Sequence, residues 1–256
     1  MRVAVIGGTG ELGALVVAEL AARGDDVRAV SRTAPAAGKL PAGVAHLRAD
    51  LASGDGLRAA LAGVEVVVDA SNDRRRAREV LAEGTRRLGV AAADAGVRHH
   101  VAISIVGCDR VPHPYYKAKV AQEQALAEAP VPWSLLRATQ FHALQAGAFA
   151  AAARARVLPK VRILLQPLDT AVVARRVAEL VHAEPAGRVA DMAGPQVERL
   201  DALAEQWRAH HGRRLLPLRI PPFALGGGGR EMAAGLLTDP AAAVEGPTFA
   251  QWLARR

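Results

Sequence analysis

An α/β fold built on a doubly wound parallel sheet is predicted by three features of the sequence. Short β-branched runs alternate with helical patterns over the first two-thirds of the chain. Several of those runs are apolar nearly throughout, as expected of strands covered on both faces. The first run leads directly into a glycine-rich turn and then an amphipathic helix.

In order, strands are expected over residues 2–7, 26–31, 44–49, 64–70, 98–106 and 132–138. Helices are expected between them over 11–23, 54–62, 74–95 and 113–128, each crossover right-handed. Beyond about residue 140 the rhythm loosens. A helix over 141–155, a strand over 160–166 and helices over 170–183 and 199–211 follow, with a short apolar run over 215–220. Pro221-Pro222 comes next, and Gly226 to Gly229 then read as a mobile loop. The expected organisation is a core over 1–140 and a smaller C-terminal lobe over 141–256, partly interleaved with it.

Composition narrows the function. The 256 residues are 51% hydrophobic, enough to bury a substantial core. The one cysteine, Cys108, permits no intramolecular disulfide, which suits a reducing cytoplasm. The apolar run at Val3–Ile6 is too short for a signal segment, and no stretch approaches the ~20 apolar residues of a membrane span. The net charge of +8 is dispersed, so neither nucleic acid nor a membrane is expected as a partner. The densest run, Arg74-Arg75-Arg76 with Arg78, reads as a solvated helix start. The eight histidines show no metal-ligand spacing.

Gly7, Gly10 and Gly13 form a G-x-x-G-x-x-G turn between the first strand and a helix carrying Leu12, Val16 and Leu20 at helical spacing. Gly7 permits the sharp turn, Gly10 lets a pyrophosphate approach the backbone, and Gly13 lets helix and strand pack closely. The N–H groups of the helix start, with Thr9, Glu11 and Leu12, then face the phosphates. This is a Rossmann-type dinucleotide site. At the end of the second strand no carboxylate is present to accept a ribose 2′-hydroxyl. Ser31 and Arg32 stand there instead, a pair suited to a 2′-phosphate, so NADP(H) is favoured over NAD(H). Asp50 and Leu51 are expected to flank the adenine, and Ala70, Ser71 and Asn72 to lie near the cofactor's middle.

The fifth strand carries Ser104 near its carboxyl end, and Tyr115 and Lys119 follow at i, i+4 on a helix that Pro114 suits as a first-turn residue. Reducing a carbonyl requires an acid at the oxygen. A tyrosine serves once a nearby cation lowers its pKa, and an ammonium one helical turn away supplies that cation. Lys119 can also hold the nicotinamide ribose, and Ser104 can bind the substrate oxygen. Tyr116 is the alternative acid, but no lysine lies four residues beyond it. Asp69 and Cys108 are assigned no catalytic role.

The glycine turn, Ser104 and Tyr115-x-x-x-Lys119 together resemble the short-chain dehydrogenase/reductase superfamily. The finer texture is similar to its atypical, NmrA-like branch. That texture comprises Ser104-Ile105-Val106-Gly107, Pro114-Tyr115-Tyr116, Leu136 to Phe141, Gln166-Pro167, Ala193-Gly194-Pro195 and Thr248 to Leu253. The resemblance implies an NADPH-dependent oxidoreductase acting on a carbonyl or conjugated double bond of a small organic molecule. The same branch also contains non-catalytic NADP(H)-binding redox sensors and regulators, which leaves that alternative open. The substrate side is expected to draw on Gln140, Phe141, His142 and Gln166, with the loop before Gly226 as a lid. His142 is either a second acid or a packed core histidine. No metal is expected.

Overall fold

A computed structural model of the chain describes residues 1–244 and 246–256. The chain opens with β1 (Arg2–Ile6), α1 (Glu11–Ala22), β2 (Asp26–Ser31), β3 (Ala45–Arg48), α2 (Leu57–Leu61) and β4 (Val66–Asp69). It continues with α3 (Gly84–Asp94), β5 (His99–Ile105), α4 (Pro114–Ala127), β6 (Trp133–Ala138), α5 (His142–Arg154), β7 (Val157–Lys160) and β8 (Leu164–Leu165). Then come α6 (Thr170–His182), β9 (Gly187–Arg188), β10 (Glu198–Arg199), α7 (Leu200–His210), β11 (Leu216–Arg219), α8 (Gly229–Ala233) and α9 (Phe249–Leu253). Two compact units share these elements. The first comprises Met1–Ser104, Ala118–Leu136 and Val173–Val189, and the second Ile105–Lys117, Arg137–Val172 and Ala190–Arg256.

Seven strands form one sheet in the order β3-β2-β1-β4-β5-β6-β9, and β1 pairs in parallel with both β2 and β4. This is the Rossmann-type α/β arrangement. Val3, Ala4, Val5, Val66, Val67 and Val68 are fully buried, which is why these runs are apolar on both faces. On α1, Leu12, Val16 and Leu20 recur one turn apart and bury a single stripe together with Val17. The strand order reverses between β1 and β4, and ligands of open α/β sheets bind in the crevice such a switch point leaves at the carboxyl ends.

Several elements differ from expectation for local physical reasons. The helix expected over 74–95 begins at Arg78, and its first six residues, Arg78–Glu83, form a π-helical turn. The Asp73 carboxylate accepts the Arg75 and Arg76 N–H groups just before it, at 3.0 and 2.9 Å. The extra residue per turn brings Gly84 against Leu51 and Thr85 onto Asp69. The strand expected over 160–166 is divided into β7 and β8, because Val161 and Ile163 turn into a core between them. The short β9, which carries no periodic signal, joins the sheet beside β6.

The second unit has its own core of Phe149, Leu158, Leu203, Trp207, Phe249 and Trp252 with smaller apolar neighbours. Two small sheets edge it, β7 paired in parallel with β11 and β8 antiparallel with β10. A Thr248 capping box starts α9. Pro222–Leu225 forms a 3₁₀ turn, and left-handed Gly228 starts α8, where a loop was expected. Among the described residues no helix is long and apolar enough to cross a membrane.

Candidate functional site

The first unit places the glycine turn at the switch point. Gly7 has φ of +74°, and its N–H donates to the Val30 carbonyl at 2.8 Å, tying the turn to β2. A Cβ on Gly7 would lie 2.8 Å from the Ala70 carbonyl oxygen and 3.1 Å from the Ser71 Cα, so the turn presses against the end of β4. A Cβ on Gly13 would lie 2.1 Å from the Gly7 oxygen. The start of α1 therefore rests directly on the turn. Gly10 is the N-cap of α1, and no side chain caps it. Beside this cradle Ser71 is buried, and its Oγ has no hydrogen-bond partner among the described residues. A helix start with a glycine N-cap, a turn with no room for a Cβ at Gly7 or Gly13, and an orphaned hydroxyl fit a dinucleotide pyrophosphate and its ribose.

The end of β2 is more occupied than the sequence suggests. The Ser31 hydroxyl donates to the Thr33 carbonyl at 2.8 Å and lies 2.9 Å from His46 Nε2 on β3. Its single proton is therefore already committed. His46 is a neighbour of Ser31 that sequence reasoning missed, because only the β2–β3 pairing brings it there. Arg32 is about half exposed and pairs with Asp73 at 3.6 Å. The Arg76 and Arg75 N–H groups hold the Asp73 carboxyl below the ordinary carboxylate range, with Arg32 and Arg76 adding their charges. Asp50 accepts the Ala52 N–H at 2.9 Å, and Leu51 is buried.

Lys119 and Ser104 are both buried in the first unit, at 4% and 2% exposure. Lys119 Nζ donates to the Ile103 carbonyl at 3.1 Å and to Gln122 Oε1 at 2.8 Å. Gln122 Nε2 in turn donates to Asp69 Oδ2 at 3.1 Å, and so does Thr85 Oγ1. Asp69 Oδ1 accepts the Ser71 N–H at 3.0 Å. One carboxylate thus links the backbone of Ser71 to the ammonium of Lys119. Tyr115 is half-buried, one turn before Lys119 on α4, with its ring 5.4 Å from that of Tyr116.

His100 is also fully buried in the first unit, and neither ring nitrogen has a partner among the described residues. Burial pushes its pKa down to about 4, against the pull of Asp69. The unfolded chain takes up this proton at the ordinary value near 6.5, whereas the folded chain resists it. Stability should be retained above pH 6.5 and lost as pH falls toward 4, by about 3 kcal/mol through this group. His100→Leu removes both the titration and two unsatisfied nitrogens. It should flatten the acid limb of the melting temperature between pH 6.5 and 4. Parallel limbs for the two proteins would refute this.

The second unit holds the residues expected on the substrate side, and most of their polar atoms are engaged within it. Gln140 donates to the Leu237 carbonyl at 3.0 Å and accepts the Gln166 N–H at 3.1 Å. Gln166 donates to the Gly194 carbonyl at 2.8 Å and accepts the Asp239 N–H at 2.8 Å. His142 is fully buried, packs on Phe249 and Trp252, and places Nε2 2.9 Å from the Pro247 carbonyl. Burial lowers its pKa. Of the four, Phe141 is the one whose contribution would be apolar; it is half-buried and bridges Leu168.

These features define a dinucleotide-binding protein built on a Rossmann-type sheet, and similarity to known proteins agrees. The chain belongs to the NAD(P)H-binding family, whose profile matches residues 7–182. No curated protein sequence matches it. Among solved structures it is similar to an NADPH-dependent quinone oxidoreductase from Escherichia coli complexed with NADPH. That likeness has a TM-score of 0.79 and 21% identity, over 99% of each chain. It is similar to the Citrobacter sp. triphenylmethane reductase complexed with NADP(H), with a TM-score of 0.77 and 18% identity, over 100% of this chain and 99% of that one. It is also similar to the Thermus thermophilus UDP-glucose 4-epimerase complexed with NAD, with a TM-score of 0.77 and 17% identity, over 99% and 98%.

Proposed function

We propose that this chain is an NADPH-dependent oxidoreductase of the atypical short-chain type that reduces a carbonyl or a conjugated double bond of a small organic molecule in the cytoplasm. The observation that carries this reading is the burial of Lys119 by a dedicated polar network, one helical turn after Tyr115. A purely structural lysine on a surface helix needs no such network. Bound NADPH supplies a hydride. Tyr115 gives its phenolic proton to the substrate oxygen, and the Lys119 charge lowers the tyrosine's pKa so that the proton leaves readily. Ser104 orients that oxygen, and Lys119 holds the nicotinamide ribose. Gly7, Gly10, Gly13 and the start of α1 seat the pyrophosphate, with Ser71 completing the cradle. The quinone and dye reductases among the structural neighbours support this substrate class.

The direct test mixes the protein with NADPH and a panel of quinones, enones, aldehydes and ketones, and follows absorbance of the reduced nicotinamide. Consumption with at least one class is expected. Tight NADPH binding with no consumption across the panel would favour the redox-sensor reading of the NmrA-like branch instead.

Preference for NADP(H) rests on Arg32 at the end of β2, which a 2′-phosphate would draw from Asp73. Calorimetric titration should show NADPH binding more tightly than NADH. Arg32→Asp should weaken NADPH by about 10–100-fold and invert the preference. Tighter NADH binding by the unaltered protein would refute the assignment.

A further inference from the structure

Four elements of the first unit contribute to the polar cluster behind Lys119: β4 with Asp69, α3 with Thr85, β5 with the Ile103 carbonyl, and α4 with Lys119 and Gln122. Asp69 is 1% exposed and Gln122 also 1%. Burying a carboxylate and an ammonium is costly unless each is compensated. An ammonium only donates and an ionised carboxylate only accepts. The Gln122 amide meets both demands in one orientation, oxygen toward Lys119 and nitrogen toward Asp69.

We propose that Asp69 and Gln122 are positioning residues that keep Lys119 charged and aimed, with the negative charge of Asp69 carried to the ammonium through the Gln122 amide. The inference rests on Lys119 being the cation of the Tyr115–Lys119 pair, and it assigns the cause of that charge. His100 on β5 lies diagonal to Asp69, since Val67 pairs with His100 and Asp69 with Ala102. Its pKa near 4 leaves it neutral around pH 7, so it adds no charge. On α4 itself Tyr115 and Glu123 stand one turn either side of Lys119. Asp69 is the anion that the Gln122 amide joins to Lys119. The contact with the Ser71 N–H also anchors the strand end beside Gly7 to the same carboxylate. The cofactor cradle and the lysine share one support.

The chain has four lysines, Lys39, Lys117, Lys119 and Lys160, so ε-carbon-labelled lysine yields four NMR signals. The one lost in Lys119→Met is Lys119. Its titration in the cofactor-free full chain reads the charge directly, with no turnover. Asp69→Asn is nearly isosteric but removes the anion, so the Lys119 midpoint should fall by about one unit. NADPH affinity should fall in parallel, by about tenfold. Adding Gln122→Glu to Asp69→Asn exchanges carboxylate and amide along the same chain of bonds. It should return the midpoint to the original value or above it. A merely structural role predicts altered melting temperatures but an unmoved lysine titration, and that result overturns the inference. So does a midpoint lowered by Asp69→Asn that Gln122→Glu fails to restore. Should Asp69→Asn not fold, Gln122→Met interrupts the same path and must lower the midpoint likewise. Full activity in Tyr115→Phe would sink the proton-donor reading while leaving these titrations standing, so the two failures are distinguishable.

Discussion

Tyr115→Phe is expected to lower turnover by about 10²–10⁴-fold on the best substrate while leaving NADPH affinity nearly unchanged. Only the hydroxyl is removed. The ring keeps its contact with Tyr116. General acid catalysis is worth about that factor, and it acts in the transition state rather than in binding. Lys119→Ala should damage both quantities, because Lys119 serves both the tyrosine and the ribose. Steady-state kinetics with calorimetric binding separates the two effects. If Tyr115→Phe retains full activity, Tyr116 or solvent supplies the proton. Hydride transfer to a carbon–carbon double bond then becomes the better description, since it can end with a proton from water.

Gly13→Ala should abolish measurable dinucleotide binding. The added methyl would sit 2.1 Å from the Gly7 oxygen, 2.7 Å from the Gly7 carbonyl carbon and 3.0 Å from the Gly8 Cα. All three are backbone atoms that no side-chain rotation can move aside. Either α1 shifts off the turn or the turn opens, and each displaces the N–H groups that face the phosphates. Overpacking of this kind also costs about 1–3 kcal/mol of stability. Gly147→Ala is the matched control. It lies within α5 with open space around the new methyl, so it should leave binding intact and raise stability by about 0.5–1 kcal/mol. Titration of both variants with NADPH, alongside thermal unfolding, checks the pair. Retained affinity in Gly13→Ala would show that the turn does not carry the phosphates.

Much of this molecule is legible from local sequence because local physics governs it. Strands covered on both faces must be apolar, and the helix resting on the turn must bury a stripe of Leu12, Val16 and Leu20. The residue at the tightest approach must be glycine. Those constraints act within a few residues, so β1, α1, β2 and the phosphate turn appear close to their expected bounds. The spacing of Tyr115 and Lys119 is likewise a property of one helix.

What the sequence could not show depends on partners distant along the chain. His46 lies 15 residues from Ser31, and only strand register places them together. Gln122 and Asp69 are 53 residues apart, and nothing local distinguishes that glutamine from others on a solvated helix. Gln140 and Gln166 look like pocket donors in a one-dimensional reading, yet their amides bond backbone groups elsewhere in the second unit. Sequence by itself determined the fold class, the dinucleotide turn and the Tyr–Lys spacing, because periodicity and steric exclusion are written residue by residue. Tertiary structure alone decided which polar side chains are held ready and which are consumed, because a buried hydrogen bond is satisfied by whatever group folding brings within about 3 Å.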